Sequence, residues 1–191
     1  MTANTKEEFV MNTGDRWISI MLESTAWATG ALLESCAALS PEQFHQRFEI
    51  GPGSVHDTLR HVIGAMLRWA DRIGGAPLRP SIEVAGQNSP LAEQREHLAM
   101  AVRDLRAAAD RVSAAGTWHE SIEFAVPGGA TYRFSRAAAL VHVVTHGVHH
   151  RAQVMNMRRQ LGLASLELDL DPVEWECVTT GQIPSPSPSQ S

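Results

Sequence analysis

Apolar residues recur at intervals of three and four through most of this chain, and the period shifts to two in a single short stretch. A first helix is predicted from about Asp15 to Leu39, with Trp17, Ile20, Met21, Trp27, Ala31 and Leu32 as its apolar stripe. Ser40-Pro41-Glu42-Gln43 then reads as a helix start, with Ser as cap, Pro at the first helical position and Gln three residues on. That short turn ends at Gly51-Pro52-Gly53, which reads as a turn alone. A second long helix opens at Ser54, where Asp57 completes a capping-box pattern, and runs through Leu59, Val62, Ile63, Met66 and Ala70 to Gly74-Gly75.

Ser89-Pro90 repeats the Ser-cap, Pro-first signal, and the third long helix reaches about Ala115, with Leu91, Leu98, Val102 and Leu105 inward. Next comes the change of period. Residues 121–126 and 131–134 alternate apolar and polar around Pro127-Gly128-Gly129, which predicts a β-hairpin. The fourth long helix starts near Ser135 and stops at Gly162, lining Leu140, Val143, Gly147, His150, Val154, Met157 and Leu161 along one face. Residues 165–180, with Glu167, Asp169, Asp171 and Trp175, read as a surface segment docked by its apolar side chains. The expected fold is all-α, a four-helix bundle with a short β-hairpin between the third and fourth long helices. A loose segment at 1–12, a bundle domain at 13–180 and a disordered Pro/Ser tail at 181–191 complete the organisation.

At 191 residues, 43% hydrophobic and 19% charged, the chain suits one globular domain with a sizeable core. A net charge of -5 without a basic block argues against nucleic acid or an anionic membrane as partner. The polar, acid-bearing N-terminus does not resemble a secretory signal, and no apolar run approaches the length of a membrane span, so a cytoplasmic location is expected. Cys36 and Cys177 lie far apart with no CxxC, offering neither a disulfide framework nor a thiolate metal site.

The chemistry is concentrated in His142-x3-His146-x2-His149-His150-Arg151-x-Gln153 on the fourth long helix. Histidines spaced i, i+4 project from one side of a helix and let two imidazoles grip one divalent ion. Hydrogen-bonded core imidazoles are the ordinary alternative. A third ligand must come from another helix, and the second long helix offers His56 and His61. Periodicity slightly prefers His56, three and seven residues before Leu59 and Ile63, and leaves the choice open. Zincin and inverzincin patterns fail for want of the neighbouring Glu, since Gly147 follows His146 and His149 precedes His150. No nucleophile elbow or phosphate-cradling loop is present.

Ser54-x4-Leu59-x-His61-Val62, then a hairpin, then the histidine ladder and Leu161-Gly162 resembles the DinB/YfiT-like metalloenzymes over roughly residues 15–162. The resemblance implies a four-helix bundle, often dimeric, and His61, His146 and His150 as metal ligands. His142, His149, Arg151 and Gln153, beside those positions on the same helix, are candidates for supporting the ligands or lining the pocket. The family commonly has Gly where this chain has Ala152. A divalent ion (zinc or nickel ahead of iron or copper) would then leave open coordination for activating a thiol or water. Relatives in the wider superfamily make a transferase using an external low-molecular-weight thiol the leading expectation, with a small-molecule substrate. The alternative is a non-catalytic, stress-related protein whose metal is structural or sequestered.

Overall fold

The computed structural model describes residues 13–84, 88–125 and 128–183. The expectations for segments 1–12 and 184–191, and for Val126 and Pro127, lie outside the described residues. Helices α1 (Thr13–Ser35), α3 (Val55–Gly74), α4 (Leu91–Ala115) and α5 (Arg136–Gln160) form a four-helix bundle. A 3₁₀ turn (Cys36–Ala38) and short α2 (Pro41–His45) link α1 to α3, and α6 (Pro172–Thr179) follows α5. Strands β1 (Ser121–Ala125) and β2 (Thr131–Ser135) pair antiparallel between α4 and α5, with Ile122 opposite Phe134 and Phe124 opposite Tyr132.

α3 is the central element, packed on both α4 and α5, while α1 closes the opposite side against the same two helices. Val55, Leu59, Val62, Ile63, Met66, Leu67, Ala70 and Ile73 of α3 are all buried, as its strong apolar period requires. α5 buries Leu140, Val143, Gly147, His150, Val154 and Met157 on the face that periodicity selected.

α1 departs from its predicted stripe. Trp17 is 45% exposed, and Ile18, Leu22, Ala28, Leu32 and Leu33 form the core face with Thr25 and Thr29. The reason is local: apolar residues occur on nearly every side of α1, so their period carries little direction. The caps also differ in detail. Ser40 and Gln43 form the full capping box, whereas Ser54 accepts from Asp57 N but the Asp57 carboxylate turns to His56 and Arg47. Pro90, not Ser89, occupies the cap position of α4, and no side chain caps it.

The segment read as docked on the surface, residues 165–180, contains α6, with Asp171 as its cap, Pro172 first and Glu174 accepting from Leu170 N at 2.7 Å. Leu170 does the docking: it is buried in a left-handed conformation (φ 60) that costs a non-glycine residue about 1–2 kcal/mol. Buried Arg158 donates to the Ser35 carbonyl and so pins the end of α5 to the end of α1. Arg136, at the foot of the hairpin, likewise donates to the Ile73 carbonyl at the end of α3. No helix among the described residues is long and apolar enough to cross a membrane.

Candidate metal centre

Buried apolar residues on α3 and α5 dock these helices together and bring His61 of α3 against His146 and His150 of α5. One ring nitrogen from each histidine lies within 4.8 Å of the other two. His61 Nε2 and His146 Nε2 are 3.0 Å apart, and the His146 and His150 ring centroids are separated by 4.4 Å. A tetrahedral ion with metal–nitrogen bonds of about 2.0–2.1 Å needs nitrogens about 3.3 Å apart, so small ring rotations suit the set to such an ion. The donor chemistry fits as well. Burial, reinforced by the neighbouring imidazoles, pushes the His146 pKa down to about 3, and burial also lowers His150. Both rings are therefore neutral donors near pH 7.

The other nitrogen of two rings is fixed by a partner. Glu83 accepts from His61 Nδ1 at 2.7 Å, leaving Nε2 with its lone pair toward His146. The Gln153 carbonyl oxygen accepts from His150 Nδ1 at 2.7 Å, and its amide donates to His149 Nε2 at 3.0 Å. Glu83 comes from a loop 22 residues beyond His61. Arg60, buried on α3, donates to the carbonyls of Ile82 and Val84, holding the loop on both sides of Glu83. Gly64, one turn on, makes room: a Cβ there would meet Glu83 Oε1 at 3.0 Å and Ile82 Cγ1 at 3.2 Å.

Gly51 plays the same part for Gln153. It sits at φ +52, and an added Cβ would fall 2.1 Å from Gln153 Oε1. The turn that sequence alone assigns no further role thus supports a histidine. Neither Glu83 nor this Gly51–Gln153 contact was visible in sequence. The Arg60-x3-Gly64 spacing is the only hint of the first, and it specifies no partner.

The remaining candidates separate. His56 is 2% exposed, with Nδ1 2.9 Å from Asp57 Oδ1 and Nε2 accepting from Ser89 N at 3.1 Å. Both its nitrogens are engaged away from the histidine cluster. His142 stands one turn before His146, edge-on to Trp69 with centroids 5.0 Å apart, and faces the adjoining cavity. Exposed His149 reaches the cluster only through Gln153 and its ring contact with His150. Arg151 turns the other way: buried against α1, it donates to Thr29 Oγ1 at 3.3 Å, and burial lowers its pKa to about 10. Its guanidinium occupies space left by Gly147, where a Cβ would meet Nη1 at 2.9 Å. Ala152 is exposed, so its methyl meets no tight helix contact. Glu120 and Glu123 pair with Arg136 and Arg133 rather than with the histidines.

Beside the cluster, a cavity of about 720 Å³ opens between α3, α5 and the hairpin. His61, His142 and His146 form one end, and Trp69, Phe124 and Phe134 provide its apolar lining. Trp69 is both largely buried and part of this lining. Neither cysteine lines the cavity. Burial raises the Cys36 thiol to about 11, and Cys177 lies on α6.

Residues 8–182 match the profile of the DinB family. Protein DinB of Bacillus subtilis is 25% identical over 152 residues, covering 78% of this chain and 88% of that protein. YfiT from Bacillus subtilis, described as "a probable metal-dependent hydrolase with an unusual four-helix bundle topology", shares the fold with a TM-score of 0.50 at 16% identity, covering 83% of this chain and 94% of its own. A DinB-like protein from Bacillus cereus aligns with a TM-score of 0.49 at 17% identity, over 78% of this chain and 95% of its own.

Proposed function

This chain belongs to the DinB family, and we propose that it is a metal-dependent enzyme whose divalent ion is held by His61, His146 and His150. The observation that carries the reading is the convergence of three imidazoles, two of which, His61 and His146, line a cavity of small-molecule size. The all-nitrogen donor set suits zinc or nickel. A divalent ion there supplies a Lewis acid that lowers the pKa of a thiol or a water at neutral pH.

The chain's own residues do the rest. Glu83 and Gln153 hold the His61 and His150 rings in orientation, and Trp69, Phe124 and Phe134 exclude water from one side of the reacting centre. The nucleophile we assign is an external low-molecular-weight thiol, acting in group transfer to a small-molecule substrate. Its support is that neither cysteine of the chain reaches the cavity. Water is the second reading, favoured by the description of YfiT as a probable metal-dependent hydrolase.

Elemental analysis of purified protein tests the centre. One equivalent of metal per chain is expected, lost in His146→Ala and in His150→Ala with helicity retained; unchanged content in both variants overturns the assignment. Cobalt-loaded protein then separates the nucleophiles. Added low-molecular-weight thiols should produce a sulfur-to-cobalt charge-transfer band, and its absence across a thiol panel leaves hydrolysis as the activity. A site that merely braces the fold would instead melt the bundle when chelator is added.

A further inference from the structure

His61, Ala65, Arg68 and Arg72 succeed one another along a single face of α3, and all four line the cavity. Two guanidiniums thus border a space walled otherwise by apolar side chains, three histidines and Glu83, in a protein of net charge -5. Among the described residues neither has a carboxylate within ion-pair distance, although most other arginines form such pairs. Arg68 Nε is buried without a hydrogen-bond partner. Arg72 lies with its guanidinium carbon 4.9 Å from the Trp69 ring centroid and 4.7 Å from that of Phe124, so both rings hold it by its face. Glu83 also borders the cavity, but its carboxylate is engaged by His61.

We infer that the cavity takes a small carboxylate with an apolar or aromatic body, its acid group held by Arg68 and Arg72 and its other end presented to His61 and His146 of the histidine cluster. This rests on reading the histidine cluster as the reacting centre. A planar guanidinium matches a carboxylate with two parallel hydrogen bonds, and the apolar surroundings strengthen them. Burial lowers the Arg72 pKa and the charge of Arg68 lowers it further, with Asp71 opposing both, and a bound anion relieves the repulsion between the two guanidiniums. Helix rise sets the ligand's reach. At about 1.5 Å per residue, Arg68 lies about 10 Å along α3 from His61, so acid and reacting group are separated by a short chain or one ring.

Calorimetric titration of the full chain with 4-phenylbutyrate and with 4-phenylbutanamide, in metal-free and metal-loaded protein, tests the inference. The acid should bind about tenfold tighter than the amide in both states. In Arg68→Gln/Arg72→Gln the preference should fall below about threefold, with amide affinity retained as the measure of an intact pocket. Equal binding of acid and amide, binding of neither, or a preference that survives the double substitution overturns the proposal. A preference seen only with metal loaded also overturns it, since the ion would then be holding the acid. Metal content is measured separately, so an empty histidine cluster would refute the metal reading while leaving the metal-free titrations to decide this one.

Discussion

Glu83 lies 2.7 Å from Nδ1 of His61, though the two residues sit on different elements and 22 positions apart. The carboxylate draws the imidazole proton to Nδ1 and strengthens Nε2 as a donor. Glu83→Ala should weaken metal affinity by about 10–100-fold with little change in melting temperature. Competition against a chromophoric chelator measures this. Affinity equal to wild type would show that the carboxylate does not tune the ring.

Acid should destabilise the metal-free protein in a defined window. Burial, followed by the neighbouring imidazoles, holds His146 at about 3 instead of 6.5. Between those values the unfolded chain takes up a proton that the folded chain refuses, so stability is full above pH 6.5 and declines as pH falls toward 3. His142 and His150 are lowered in the same direction and add to the slope. Urea midpoints across this range should fall less steeply in His146→Ala than in wild type. Parallel curves would contradict the shift.

Substitution in the 51–53 turn should separate support of the centre from backbone strain. Gly51→Ala and Gly53→Ala both force a left-handed residue, at about 1–2 kcal/mol each. Only the first displaces Gln153, whereas the second displaces Arg47. Metal affinity should therefore drop about tenfold in Gly51→Ala and hold in Gly53→Ala. Equal affinities would show that Gln153 does not position His150.

The two thiols should differ sharply in reactivity. Cys36 is buried with its pKa raised to about 11, while Cys177 is half-buried on the outer helix α6. Maleimide should add once to the native protein and twice after unfolding, as intact mass reports. Double labelling of the native chain would mean that the α1 end opens readily.

The helices around the site were legible because α3 and α5 bury one face each, from Leu59 to Ile73 and from Leu140 to Met157. The hairpin was legible from its alternation, with Ile122, Phe124 and Phe134 turned to the bundle. α1 was less so, since its Ala, Thr and Leu residues leave no single apolar face and Trp17 could be mistaken for core. Periodicity alone leaned toward His56, and rightly found it buried, but burial there serves a hydrogen-bond network with Asp57 and Ser89. His61 stands at the edge of the stripe, partly exposed, where α3 borders the cavity. Glu83 stayed hidden because a loop contact leaves no period. The α6 start was written in Asp171-Pro172 and Glu174, though the surrounding acids masked it as surface.

Phe124 and Phe134 ride on a two-stranded ribbon whose strands, among the described residues, pair only with each other, whereas the three imidazoles are rooted in the bundle's inner helices. Part of the cavity wall thereby rests on a different piece of backbone from the histidines. Substitution within the ribbon can therefore reshape that wall while the histidines keep their spacing.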